Sequence, residues 1–220
     1  MTRETRAAVE VEAYESARAA YLRKLNTRSR KYLDEFIGLK CSADMLAAGL
    51  FPNSKEVTES FAAYYALRHV RPVLDLSDPG ITLYCIGDGT QPRTAATFAF
   101  RSAWQCHSID PRLKVVGKHP RVQRLHCHAW TDREFVQSHT AETFASLCPV
   151  VVVAVHNHGS LDPLVHVISS PQIVVVSIPC CVEQTITTPG TGEKIRPDRE
   201  YQDMGIWSPK RTVKIWNSVP

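Results

Sequence analysis

The sequence predicts an α/β fold: a doubly wound, mostly parallel sheet behind an N-terminal helical extension. Three observations carry this. Residues 4–37 contain no Pro or Gly and place Val11, Tyr14, Ala17, Tyr21, Leu25 and Tyr32 at three-, four- and seven-residue spacings, the mark of an amphipathic helix. From Ile81 onward, short β-branched runs alternate with helical stretches, which implies βαβ units. Two of those runs, Val150–Val155 and Ile173–Ile178, have no polar interruption except Ser177, as expected of strands covered on both faces.

The elements follow in order. Gly38 ends the first helix, and Ser42-Ala43-Asp44 starts a short second one that stops at Gly49 and Pro52. Ser54 is expected to cap a third helix, Lys55 to about Val70. Asp75–Gly80 is a turn cluster. Ile81–Ile86 reads as the first strand, Arg93–Ala103 as a helix, Trp104–Ile109 as the second strand and Val122–His126 as a weaker third. Thr131 and Glu134 form a capping box for a helix expected to run to Leu147. Leu161–Ile168 reads as a short helix between the two Val/Ile strands. Residues 187–199 read as a loop, and Arg211–Trp216 as a final edge or antiparallel strand. Residues 1–74 form the extension and 75–220 the α/β domain.

Composition narrows the classes. At 220 residues the chain suits one medium domain, and 44% hydrophobic with 22% charged residues excludes wholesale disorder. The longest apolar run, Pro149–Val155, is too short to span a membrane, and residues 1–30 show no secretory signal. Seven cysteines, an odd number set mostly in apolar stretches, fit reduced thiols in a cytoplasmic setting better than a disulfide framework. The net charge is +4, and Arg18, Arg23, Lys24, Arg28, Arg30 and Lys31 cluster. That cluster is either a solvated face or a patch for the phosphates of RNA.

Ligands of open α/β sheets bind beyond the carboxyl ends of the strands. After the first strand comes Gly87-Asp88-Gly89-Thr90, whose glycines allow close backbone approach to a ligand. Asp110 follows the second strand 21 residues after Gly89, the place of a carboxylate that takes two ribose hydroxyls. The bend and the acid together signal nucleoside binding.

This arrangement resembles the class I S-adenosylmethionine-dependent methyltransferases, which are Rossmann-like. Leu83-Tyr84-Cys85-Ile86-Gly87-Asp88-Gly89-Thr90 looks like their first motif, with Cys85 in place of the usual acid. Ser108-Ile109-Asp110 is similar to the second, and His128-Ala129-Trp130-Thr131-Asp132 resembles the loop flanking the adenine. The resemblance implies S-adenosylmethionine as cofactor, held by Gly87, Asp88, Gly89, Thr90, Asp110, Ala129 and Trp130. His156-Asn157-His158-Gly159-Ser160-Leu161-Asp162, followed later by Pro179-Cys180-Cys181, is similar to a subgroup with a His-x-Cys-Gly-x-x-x-Asp loop and Cys-Cys after the fifth strand. That subgroup includes tRNA 2′-O-methyltransferases. Here His158 replaces the loop cysteine. His156, His158 and Asp162 are therefore the expected catalytic residues, with a histidine taking the acceptor's proton.

RNA is the preferred acceptor on this reading, with protein and small molecules as rivals. A catalytically inactive scaffold and an enzyme using another nucleoside are the alternatives. No metal site is expected. His126, Cys127, His128, His156, His158, Cys180 and Cys181 all follow strand ends, but there is no CxxC or HExxH, and adjacent cysteines at a strand end do not easily share one ion.

Overall fold

The computed structural model describes residues 15, 16 and 29–219. Among them are helices α1 (Lys31–Gly38), α2 (Ser42–Ala47), α3 (Ser54–Ala66), α4 (Arg93–Arg101), α5 (Asp132–Gln137) and α6 (Asp162–Val165). The strands are β1 (Thr82–Ile86), β2 (Gln105–Ile109), β3 (Gly117–Lys118), β4 (Leu125–His128), β5 (Val150–Val155), β6 (Ile173–Ile178), β7 (Ile186–Thr187), β8 (Lys194–Ile195), β9 (Arg199–Gln202) and β10 (Thr212–Trp216). The part of the long N-terminal helix predicted before Ser29 falls outside the described residues, Glu15 and Ser16 apart.

Eight strands form one mixed sheet in the order β3-β4-β2-β1-β5-β6-β10-β9. The five central strands, β4, β2, β1, β5 and β6, are parallel. Their register is even: Ile86 pairs with Ile109 and Ala154, Ile109 with His128, and Val155 with Ile178. Even register brings the loops after these strands out along one rim. β10 lies antiparallel between β6 and β9, so it is an interior strand and not an edge. β7 and β8 form a separate hairpin within the expected loop.

Side-chain alternation along each strand sends every second residue to the same face. Leu83, Cys85, Val151 and Val153 pack with Phe61, Phe98 and Trp104, and the same apolar cluster takes in Tyr32, Phe36 and Met45 from the N-terminal helices. Tyr84, Ile86, Val150 and Val152 face the other way, onto Phe135, Leu161 and Leu164. Both faces are thus covered, as the uninterrupted Val/Ile runs require. Among the described residues no helix is long and apolar enough to cross a membrane.

Several boundaries differ from expectation for local reasons. Asn53, not Ser54, caps α3, its side chain accepting from Glu56 N. The third parallel strand starts at Leu125 and ends at His128. The capping box of Thr131 and Glu134 is present, but α5 ends at Gln137. The Phe135 carbonyl there accepts from the Ser138 hydroxyl at 2.9 Å and lies 2.7 Å from His139 Nδ1. Side chains replace backbone donors at that point, and the chain continues as a 3-10 turn over Ala141–Phe144.

Three histidine rings stack across β2 and β4, His107 lying 5.4 Å from both His126 and His128. Its Nδ1 is 3.1 Å from His128 Nε2. Burial, then the neighbouring rings, pushes His107 down to about 3 and His128 down to about 4. A depressed histidine stays neutral when folded but takes a proton when unfolded. Its stabilisation is complete above the unfolded value near 6.5 and fades as pH falls from there toward 3–4. Lowering pH from 7 to 5 should cost on the order of 2 kcal/mol through His107 alone. Urea unfolding at the two pH values should therefore show a smaller pH difference for His107→Phe than for the wild type. An equal difference in both would contradict it.

Candidate functional site

The bend after β1 is built around two glycines at positive φ, +72° at Gly87 and +83° at Gly89. A Cβ on Gly87 would stand 2.9 Å from Asn157 Cα, so the bend and the loop after β5 touch backbone to backbone. Gly89 N–H donates to Asp110 Oδ2 at 2.8 Å. The bend and the acid that the sequence pairs are therefore in direct contact.

Asp88 has a different role from the one expected. Its carboxylate turns inward and accepts from Thr94 N, Ala95 N and Ser108 Oγ at 2.8, 3.1 and 2.9 Å. It satisfies the first N–H groups of α4, which Pro92 cannot cap. Burial raises its pKa, and the Arg93 charge and these donors offset part of that rise. Thr90 is exposed and Ala129 packs toward the core, so neither borders the cavity described next.

A cavity of about 630 Å³ opens above the rim. Gly87, Asp110, Trp130, His156, Asn157, His158 and Cys180 wall it, with Lys55, Arg93, Arg112 and Lys210 against Asp110 and Asp132. Cations outnumber carboxylates on this wall, which favours a ligand with an anionic end. Arg93 reaches over Gly89 and is itself held by Glu56 at 2.6 Å. Asp110 Oδ1 accepts from Arg112 N at 2.8 Å. Arg112 Nε also lies 3.4 Å from Oδ1, so Oδ1 takes two donors of Arg112 while Oδ2 takes Gly89 N–H alone and keeps a second lone pair.

His156 begins the loop after β5 with φ +54°, an uncommon conformation for a side-chain-bearing residue. Its Nε2 lies 2.6 Å from Glu59 Oε1, and the Glu59 side chain is fully buried on α3. Lys55 stands 3.3 Å from the same oxygen. Burial alone would push His156 down; the hydrogen bond and charge of Glu59 reverse this and leave it raised. Burial likewise opposes ionisation of Glu59, yet His156 and Lys55 hold it below the ordinary carboxylate value. Asn157 folds back on its own loop, Oδ1 accepting from Gly159 N and Nδ2 donating to Gly159 O.

His158 Nε2 lies 2.9 Å from Cys180 Sγ and 3.5 Å from Cys181 Sγ, and the two sulfurs are 3.5 Å apart. The expectation that these neighbours diverge assumes a strand. After Ile178 the chain bends instead, so strand alternation no longer separates them. Burial would push the Cys180 thiol up, but donors from Cys181, Val182 and His158 bring it down to about 6.

Asp162 is not brought to the cavity. Its carboxylate accepts from Thr187 N and Oγ1 at 2.9 and 2.8 Å, tying α6 to the β7–β8 hairpin. Of the predicted cation cluster, Arg30 pairs with Asp34 and Lys31 with Asp203. Arg18, Arg23, Lys24 and Arg28 lie outside the described residues. Sequence reasoning missed Lys55, Glu59, Arg93 and Lys210. Glu59 carried a signal, since it is an acid within a helical stretch otherwise flanked by Val57, Phe61 and Tyr64.

No protein-family model and no curated protein matches this chain.

Glu59→Gln removes the charge that raises the His156 pKa while keeping the volume. The His156 pKa, followed by NMR of the ring protons, should fall below the ordinary histidine value, with a stability loss of roughly 1–3 kcal/mol. An unchanged His156 titration would contradict the coupling.

Proposed function

We propose that the cavity binds S-adenosylmethionine and that the protein is a Rossmann-like, doubly wound methyltransferase. The carrying observation is that Gly87, Asp110 and Trp130, three of the residues matched to cofactor motifs, wall one cavity. Its volume falls in the range of small-molecule sites. The place also fits. The five parallel strands run third, second, first, fourth, fifth, so the order reverses between β1 and β5. Ligands of such sheets bind at that reversal. β10, inserted antiparallel beyond β6, departs from the all-parallel order of dinucleotide-binding sheets, and the dinucleotide glycine fingerprint is absent.

On this reading Asp110 accepts one ribose hydroxyl on the remaining lone pair of Oδ2 and the other on Oδ1, where it displaces the exposed Arg112 side chain, and the Trp130 ring flanks the adenine. Lys55, Arg93 and Lys210 supply positive charge for the carboxylate of the amino-acid end. Methyl transfer is an in-line displacement: the acceptor's lone pair forms the new bond to carbon as the carbon–sulfur bond breaks. Holding both partners in line supplies most of the rate. His156 and His158 border the acceptor side, and a histidine takes the proton of a hydroxyl or amine acceptor. RNA as acceptor rests on the cation cluster between Arg18 and Lys31.

A specific observation favours a second reading, a scaffold without chemistry. Both Asp110 oxygens already hold protein N–H groups, and Arg93 covers Gly89.

Calorimetry separates the two. The methyltransferase reading expects one equivalent of S-adenosylmethionine or S-adenosylhomocysteine to bind saturably. Asp110→Asn should then weaken binding by about 1–3 kcal/mol, roughly 5- to 150-fold, measured at a temperature where the variant's circular dichroism still matches the wild type. Absence of binding by well-folded wild-type protein would contradict the reading and favour the scaffold. RNA binding should fall steeply with salt; flat or absent binding would remove RNA as acceptor.

A further inference from the structure

His158, Cys180 and Cys181 come from two different loops, yet their three donor atoms lie within 4.8 Å of one another. We propose that these three side chains form a site for a thiophilic divalent ion, zinc in the first instance, on the wall of the cavity. The proposal does not rest on the methyltransferase reading and needs no cofactor bound; with an ion on His158, the acceptor's proton on that reading falls to His156.

Geometry carries it. Zinc bonds sulfur at about 2.3 Å and imidazole nitrogen at about 2.0–2.1 Å in tetrahedral array. Those lengths place two ligand sulfurs about 3.8 Å apart, and a sulfur and a nitrogen about 3.6 Å apart. The separations here are 3.5 Å between the sulfurs, 3.5 Å from Cys181 Sγ to His158 Nε2 and 2.9 Å from Cys180 Sγ to His158 Nε2. Two of the three edges of the tetrahedral face are already near the required length. The third needs an opening of about 0.7 Å, which the exposed His158 ring supplies by rotation.

The chemistry agrees. Two thiolates and an imidazole are a soft donor set that discriminates against magnesium and calcium. Among the described residues no fourth histidine, cysteine or carboxylate joins the group. Three protein ligands with an open position are the arrangement of a reactive zinc, not of a structural one. His158 and Cys180 both line the cavity, so the open position faces it and would hold water. The bend after β6 is what makes this possible, because in an extended strand adjacent cysteines point to opposite faces.

The test is zinc titration of the reduced full chain, with a chromophoric chelator as competitor, backed by the thiolate-to-cobalt charge-transfer band on cobalt substitution. One equivalent should bind, and the cobalt band should have the intensity of two thiolates. Cys181 is exposed, so Cys181→Ser should melt as the wild type does while losing at least about 100-fold in zinc affinity, with one thiolate's worth of cobalt absorbance left. His158→Ala should lose affinity with the two-thiolate band intact. Sub-stoichiometric zinc in the wild type, or equal affinity in Cys181→Ser and wild type, would overturn the site.

Discussion

Two buried carboxylates hold the glycine bend after β1, and the geometry of the cavity depends on them. Asp88 anchors the bend from below by taking the first N–H groups of α4 and the Ser108 hydroxyl. Asp110 anchors it from the side through Gly89 N–H. Oriented N–H and O–H dipoles hold both acids, with the Arg93 charge also acting on Asp88 and Arg112 Nε lying 3.4 Å from Asp110 Oδ1. Their consequence is a bend at positive φ, closed against Asn157, with one cavity wall fixed by backbone and not by mobile side chains.

The adjoining wall depends on a third buried acid. Glu59 reaches from α3 to His156 and fixes the ring whose backbone starts the loop after β5. The N-terminal helices therefore do more than cover the sheet. α3 contributes Lys55 to the cavity and, through Glu59, raises the His156 pKa. The result is a cavity lined both by Lys55, Arg93, Arg112 and Lys210 and by nitrogen and sulfur donors at the ends of β5 and β6. On the proposed reading the cations suit an anionic-tailed nucleoside and the donors a soft ion.

Much of the framework could be read from the chain. The Val/Ile runs of β5 and β6 are visible because burial on both faces leaves no polar position but Ser177, and the capping box at Thr131 is visible because it is local. The convergence of Gly87 with Asp110 followed from strand-end positions alone. What escaped depends on tertiary partners. β4 ends two residues later than expected because His126 and His128 are half-buried and stack on His107 instead of marking a loop. β10 is antiparallel, one of the two arrangements its sequence allows, and only its pairing with both β6 and β9 shows it to be interior. Asp88 looked like a ligand residue because it sits between two glycines, and its inward turn depends on Ser108 and α4. Asp162 matches a loop pattern, yet Thr187 satisfies its carboxylate 25 residues away.

The central claim is that the bend, the acid and the indole wall serve one ligand. Titration of S-adenosylhomocysteine into isotopically labelled protein tests it at the level of single groups. The amides of Gly87 and Gly89 and the Trp130 indole N–H should shift together along one saturation curve, while Thr187, on the far side of α6, stays still. Resonances of the bend that remain in place while the rest of the spectrum reports a folded chain would contradict it.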